Sequence, residues 1–201
     1  MWNPDLEKIF KEFCNYVDGK LNWTATKDKE WSDTIFNFFQ ELTKKQSGSL
    51  YTGERLEEEG EDGGTYMTVD YVVRGYRLDG ERKKMAQIVL AVEHENTGDV
   101  SSFLKKEIRH LIDLKSATKI AITYPSQGDR TELITRVQQL IQDSWYYGTM
   151  KMLAERYLVI LGFATTKERK RAVQWQGYIF DNEGKQAKLL ERVTFQRTQN
   201  V

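Results

Sequence analysis

Three short apolar runs in this sequence are continuous rather than alternating, and they restrict the fold more than any other feature. They are QIVLAVEHE (87–95), TKIAITYP (118–125) and RYLVILGFA (156–164). A strand with one face in water alternates polar and apolar residues, so each continuous run predicts a strand buried on both faces. Amphipathic helices are predicted between the runs, over residues 101–115 and 131–145. Buried strands that alternate with helices indicate a layered α/β sheet with a parallel crossover.

Further elements flank these buried strands. Apolar side chains at helical spacing predict helices over residues 5–17 and 31–44. β-Branched and aromatic residues predict a strand over TYMTVDYVVRGY (65–76) and a weaker one over SLYTGERLEE (49–58), with a hairpin turn at Asp79-Gly80. A closing hairpin is expected from WQGYIF and AKLLERVTF around the turn DNEGK. The predicted order is α-α-β-β-β-α-β-α-β-β-β, in a single domain over residues 1–201. Ser101 or Ser102 is the expected N-cap of the helix that follows the first buried strand.

The composition limits the compartment and the kinds of site. The chain has no run of about eighteen apolar residues that would cross a membrane, and its formal net charge is +0. One cysteine, Cys14, excludes an internal disulfide and is typical of a reducing compartment. We therefore expect a cytoplasmic protein with no membrane partner. The basic run KERKR (167–171) is either a local basic surface or, as we favour, a solvated loop.

Two glutamates end the first buried strand and provide the strongest candidate site. Side chains alternate along a strand, so Glu93 and Glu95 share one face and His94 points to the other, towards the core. If the preceding strand pairs antiparallel through the turn at residues 79–80, Asp70 comes close to Glu93. Acids that repel one another near a core are costly unless a cation or a proton compensates them, and three carboxylates suit an oxygen-preferring cation such as Mg²⁺ or Mn²⁺. The pattern therefore predicts a divalent metal site here.

This arrangement of elements and acids resembles the PD-(D/E)xK nuclease superfamily, the restriction endonuclease-like proteins. Their core has the order α-β-β-β-α-β, and the likeness covers about residues 28–125, with residues 126–201 as a C-terminal extension. The resemblance implies a central mixed sheet flanked by helices. It also implies that Asp70 and Glu93 bind the metal and that the main-chain carbonyl of His94 adds a ligand. Glu95 occupies the third position of the triplet, which is usually lysine, and is expected to act as a base or a second metal ligand.

The resemblance also suggests which residues could replace the lysine that is absent from the third position of the triplet. In other members of the superfamily the lysine comes from the following helix, where Lys105 and Lys106 lie in this sequence. Many members also have an acid on the preceding helix, and Glu41 is the best candidate because it flanks the apolar stripe there. His110 is expected to be a surface or interface histidine rather than a ligand.

The function implied by this resemblance is metal-dependent hydrolysis of phosphodiesters in nucleic acid, with DNA preferred to RNA and Mg²⁺ or Mn²⁺ as the cofactor. A non-catalytic member of the same fold, acting as a nucleic-acid- or protein-binding subunit, is the alternative. An unrelated α/β enzyme is a more remote one. The oligomeric state stays open, with a homodimer as one option.

Overall fold

The sheet and the helices that cover it are built from most of the chain. The computed structural model describes residues 4–20, 28–46, 51–55, 69–79, 82–96, 98–147, 155–167 and 170–195. The helices are α1 (Leu6–Val17), α2 (Asp28–Lys45), α3 (Val100–Phe103), α4 (Arg109–Asp113) and α5 (Arg130–Tyr147), with a π-helical turn (Leu104–Ile108) joining α3 to α4 and a 3₁₀ turn (Gln127–Asp129) before α5. The strands are β1 (Tyr51–Arg55), β2 (Tyr71–Asp79), β3 (Arg82–Glu95), β4 (Ser116–Thr123), β5 (Arg156–Lys167), β6 (Lys170–Phe180) and β7 (Gln186–Phe195). The predicted order of elements is confirmed.

The strands form one mixed sheet whose spatial order is the chain order, β1-β2-β3-β4-β5-β6-β7. Strands β3, β4 and β5 are parallel to one another, and the outer neighbours pair antiparallel. The three parallel strands are those with continuous apolar runs, and their centres are buried on both faces, as at Leu90, Ala91 and Val92. This burial follows from helices on both sides of the sheet. The expectation of a layered α/β fold is confirmed.

Two apolar clusters, one on each face, hold the helices to the sheet. Helices α1 and α2 pack on one face, against side chains such as Tyr71, Val92 and Trp175. The segment from α3 to α4 and helix α5 pack on the other, against side chains such as Ala91 and Phe180. Adjacent residues of β3 therefore point into different clusters, and this alternation decides which face each acid of the candidate site reaches.

Helix α1 is anchored to the last two strands. Its N-cap Asp5 accepts hydrogen bonds from the backbone N–H groups of Glu7 and Lys8, as expected for a carboxylate at this position. A Cβ atom placed on Gly177 of β6 would lie 2.7 Å from the Phe10 ring, so glycine lets the helix approach the sheet closely. Lys188 of β7 also donates to Glu7, at 2.7 Å. These contacts join the described part of the chain before residue 20 to its last hairpin.

Several predicted boundaries are corrected. Helix α2 begins at Asp28, three residues before the predicted start at 31. Strand β3 begins at Arg82, because its register with β2 continues to the pair Asp79–Arg82. The turn itself and the predicted strand residues 65–68 lie outside the described residues. The N-cap of α3 is Asp99 rather than Ser101 or Ser102, because its carboxylate accepts both of their backbone N–H groups. No helix within the described ranges is long and apolar enough to cross a membrane.

Candidate metal centre

Glu93 is the centre of the candidate site and is almost completely buried, with a relative exposure of 1%. Its pairing partner on β4 is Ala121, which packs in the same cluster as α3, α4 and α5, so the carboxyl group points to that side of the sheet. Glu93 therefore meets the helical segment that directly follows its own strand.

Asp70 is held beside Glu93 by a reciprocal pair of hydrogen bonds. The backbone N–H of Asp70 donates to Glu93 Oε2 at 3.3 Å, and Asp70 Oδ2 accepts the backbone N–H of His94 at 2.7 Å. Asp70 was predicted to lie inside a strand, but β2 begins only at Tyr71. The backbone N–H groups of Asp70 and His94 donate here to carboxylate oxygens rather than to the backbone carbonyls of a strand ladder. The predicted proximity of Asp70 and Glu93 is confirmed.

Glu107 and His110 complete the site from the helical side. His110 Nδ1 lies 3.2 Å from Glu93 Oε1, and Glu107 hydrogen-bonds to Glu93. One ligand atom from each of the three residues lies within 4.8 Å of the other two. Glu107 belongs to the π-helical turn, a feature that is common at functional sites. The site therefore offers two carboxylates and one imidazole to a single point in space.

The electrostatics of this group are unfavourable without a cation. Burial raises the pKa of Glu93 from its ordinary value of 4.5 to about 11, and the neighbouring charges of Asp70 and Glu107 act in the same direction. Burial likewise raises the pKa of Glu107 to about 7, with smaller contributions from Asp70 and Glu95 in the same direction. In the absence of metal a proton therefore stays on the Glu93–Glu107 pair at neutral pH. A divalent cation between these ligands would compensate the same negative charge, so the donor set fits a metal ion.

The remaining predicted residues of the triplet region surround this group. Glu95 is half-buried and lies near enough for its charge to raise the pKa of Glu107. Lys106 is exposed, and its charge lowers the pKa of Glu107. The predicted ligand set of Asp70, Glu93 and Glu95 thus shares only Glu93 with the three-residue group. No described contact tests the His94 carbonyl, which stays a prediction.

Two candidate residues are placed elsewhere. Glu41 is on α2, which packs on the opposite face of the sheet, and its carboxylate accepts the Tyr16 hydroxyl at 3.2 Å. The structure therefore does not bring Glu41 to this group, in which the acid from a helical segment is Glu107. Lys105 lies on the rim of a separate groove between the π-helical turn and α5. Of the two lysines, only Lys106 contributes to the charge balance of the acids.

His94 packs on the opposite face of the sheet, as predicted. Its Nε2 lies 2.8 Å from the Tyr124 hydroxyl and its Nδ1 lies 3.4 Å from Ser32 Oγ. Burial lowers the pKa of the His94 imidazole to about 3, so the ring is neutral. The side chain thus holds the end of β3 on the face opposite to the candidate site, while the backbone N–H of His94 donates to Asp70 at the site.

Sequence reasoning missed Glu107 and His110, the two residues that the helical segment brings to Glu93. The pattern favoured a surface histidine at position 110, whereas the structure pairs that ring with Glu93. The signal for this pair was the spacing Glu107-x-x-His110, because residues three apart lie on neighbouring positions of a helix surface. No protein-family model matches the chain, and no curated protein matches it either. The functional assignment therefore depends on the chemistry of the site.

Proposed function

We propose that this protein is a metal-dependent nuclease of the restriction endonuclease-like kind, which hydrolyses phosphodiesters in nucleic acid, with DNA as the preferred substrate. The observation that carries the proposal is the convergence of Glu93, Glu107 and His110 on one point, beside Asp70, at the end of a parallel strand. Proteins with α/β sheets commonly bind their ligands at the carboxyl ends of such strands.

The arrangement of elements supports the proposal. From α2 to β4 the chain follows the order α-β-β-β-α-β, with an antiparallel meander and then a parallel fourth strand. This is the core order of the superfamily that the sequence resembles. The group of acids lies at the junction of β2, β3 and the following helix, which supports the proposal.

The donor set favours Mn²⁺ over Mg²⁺. Mg²⁺ prefers oxygen ligands and near-ideal octahedral geometry, whereas Mn²⁺ stands above it in affinity for nitrogen. His110 contributes an imidazole nitrogen 3.2 Å from the Glu93 carboxylate. We therefore expect both ions to support activity, with Mn²⁺ bound more tightly.

Each residue of the site has a role in this proposal. Glu93, Glu107 and His110 hold the metal, and Asp70 fixes the end of β3 and adds negative charge. A divalent cation held there would neutralise charge on the phosphate and would lower the pKa of the attacking water. Glu95, on the same strand face as Glu93, orients the attacking water and accepts its proton. Lys106, on the same helical segment as Glu107, contacts the scissile phosphate.

The test is a cleavage assay with single- and double-stranded DNA and RNA in Mg²⁺, in Mn²⁺ and in EDTA. Glu93→Gln preserves the size of the side chain but removes a ligand charge, so we expect it to abolish cleavage. Glu41→Gln is the matched control, because it makes the same change on the opposite face of the sheet.

Two outcomes count against the proposal. Cleavage that survives both Glu93→Gln and EDTA would contradict the assigned site. Binding of nucleic acid without cleavage in either metal would favour the non-catalytic member of the fold, for which the glutamate at position 95 in place of lysine is the supporting observation.

A further inference from the structure

A basic groove borders the helical segment that carries Glu107. It has a volume of about 220 Å³ and is lined by the following residues: Leu104, Lys105, Arg109, Arg136, Gln139 and Leu140. The π-helical turn and α4 form one wall, and α5 forms the other. The groove is thus formed by helices on the same face of the sheet as the candidate metal centre.

The charge of this groove is of one sign. Lys105 and Arg109 are exposed and lie four residues apart on one wall, and Arg136 is exposed on the other. No carboxylate is among the described residues that line it. The nearest ion pair joins Arg136 to Glu132 at 3.6 Å, and both side chains are more than half exposed, so water screens the pair and leaves Arg136 available to another anion.

We propose that this groove binds the phosphodiester backbone of a double-stranded nucleic acid whose scissile phosphate lies at the metal centre. The inference rests on the proposed function. Its basis is the connection between the two sites: Arg109 directly precedes His110, and Lys105 directly precedes Lys106, whose charge lowers the pKa of Glu107. One helical segment therefore carries both the candidate metal ligands and, at adjacent positions, cations for phosphates.

The lining of the groove indicates how the nucleic acid is recognised. Its floor contains Leu104 and Leu140, and the described residues that line it include no aromatic ring on which a base could stack. Exposed lysine and arginine side chains bind phosphates without reading sequence. Binding in this groove is therefore independent of base sequence and strongly dependent on salt.

The test uses a triple variant, Lys105→Gln, Arg109→Gln and Arg136→Gln, here called the groove variant. Binding of two fluorescent duplexes of unrelated sequence is measured in EDTA from 50 to 300 mM salt, so that the metal site does not contribute. Removing one cation that neutralises a phosphate lowers the slope of log K against log[salt] by about 0.9 for duplex DNA. Because the groove variant removes all three cations, we expect its affinity for both duplexes to fall by about two orders of magnitude at 0.1 M salt.

The matched control is a hairpin variant with the same change of charge at three exposed cations of the β5–β6 hairpin, Lys167→Gln, Lys170→Gln and Arg171→Gln. Its affinity and salt slope should stay close to those of the wild type. Equal decreases in the affinity of the groove variant and the hairpin variant would overturn the inference, as would a groove variant that binds like the wild type. Failure of the wild type to bind either duplex would also overturn it.

Two further arms separate this inference from its alternatives. Competition by polyglutamate as strong as by DNA at equal charge would show an acidic peptide groove and overturn the nucleic-acid occupant. Weaker binding by the groove variant together with no cleavage by the wild type would retain the groove and reject the nuclease. Cleavage and binding by the groove variant at wild-type levels would retain the nuclease and reject the groove.

Discussion

Replacing Glu93 with glutamine should change the pH dependence of stability in the metal-free protein. The carboxyl group is buried, and burial raises its pKa to about 11 in the folded chain, against an ordinary value of 4.5. The native state therefore retains a proton that the unfolded chain releases above pH 4.5. Because the native state binds more protons, the free energy of unfolding falls as pH rises from this value towards the folded pKa. Glutamine cannot ionise, so the variant lacks this contribution.

The magnitude is set by one proton. A single group whose proton is held only in the native state contributes about 1.4 kcal/mol for each pH unit, or about 2 kcal/mol between pH 7 and 8.5. Most of this window lies above the pKa of Glu107, which burial raises to about 7. The window also avoids two other buried groups. His94, with a pKa lowered to about 3, changes stability in the opposite direction only below about pH 6.5, and Cys14, raised to about 12, contributes only near and above pH 9.

The assay is urea unfolding in EDTA at several pH values from 7 to 8.5. For the wild type we expect the midpoint to fall by about 1 M urea across the window, at an m-value of about 2 kcal/mol/M. The midpoint of Glu93→Gln should stay nearly constant and lie above that of the wild type at pH 8.5. A flat wild-type profile, or the same slope in both proteins, would refute the account of Glu93 as a buried, protonated acid.

Three further predictions concern the metal centre, a buried ion pair and the packing of α1. His110→Ala should weaken Mn²⁺ binding at least about tenfold in calorimetry, because it removes one of three ligands; unchanged affinity would exclude the imidazole. Lys119→Met should cost about 3–5 kcal/mol by leaving Glu155 buried and unpaired, since the two charges lie 2.8 Å apart with 0% and 4% exposure. Adding Glu155→Met should recover most of that loss in urea unfolding, and failure to do so would show that the pair itself stabilises the fold. Gly177→Ala should cost about 1–3 kcal/mol by forcing Phe10 away from β6, and a neutral result in thermal unfolding would contradict the tight contact.

Much of the fold could be predicted because its strongest signals are local. The continuous apolar runs identified β3, β4 and β5 as interior strands, and the helical periodicity between them required crossovers and therefore parallel pairing. The approach of Asp70 to Glu93 followed from alternation and a hairpin alone. These inferences depend only on elements that follow one another along the chain, and the structure bears them out.

The helical half of the site could not be predicted in this way. The turn Leu104–Ile108 is π-helical, so it departs from the period of 3.6 residues on which the assignment of faces depends. The spacing Glu107-x-x-His110 therefore indicated only that these two residues are neighbours, and not which acid of the sheet they would meet. The position of Glu41 could not be predicted for a different reason. An acid beside the apolar stripe of a helix can lie on either side of a sheet, and only the packing of the helix decides which side that is.

Lys119 shows the same dependence on distant contacts. It lies inside an apolar strand and is completely buried. Its ammonium group donates to Glu155, which is 36 residues further along the chain, and to the Tyr157 hydroxyl. Only the pairing of β4 with β5 brings these groups together, so no local pattern identifies the partners.

The position of α1 has a consequence for how the chain acquires its structure during synthesis. The spatial order of the strands follows the chain order, so each strand from β2 onward can join a neighbour that has already left the ribosome. Helix α1 is the exception, because it packs against β6 and β7 and its end is tied to Phe195. Helix α2 can cover part of the apolar face of α1 early, through contacts such as Phe13 with Phe38, but the part that packs on β6 and β7 stays exposed until the last hairpin emerges. A nascent chain stalled before β6 should present this face to chaperones, although its central strands can already pair.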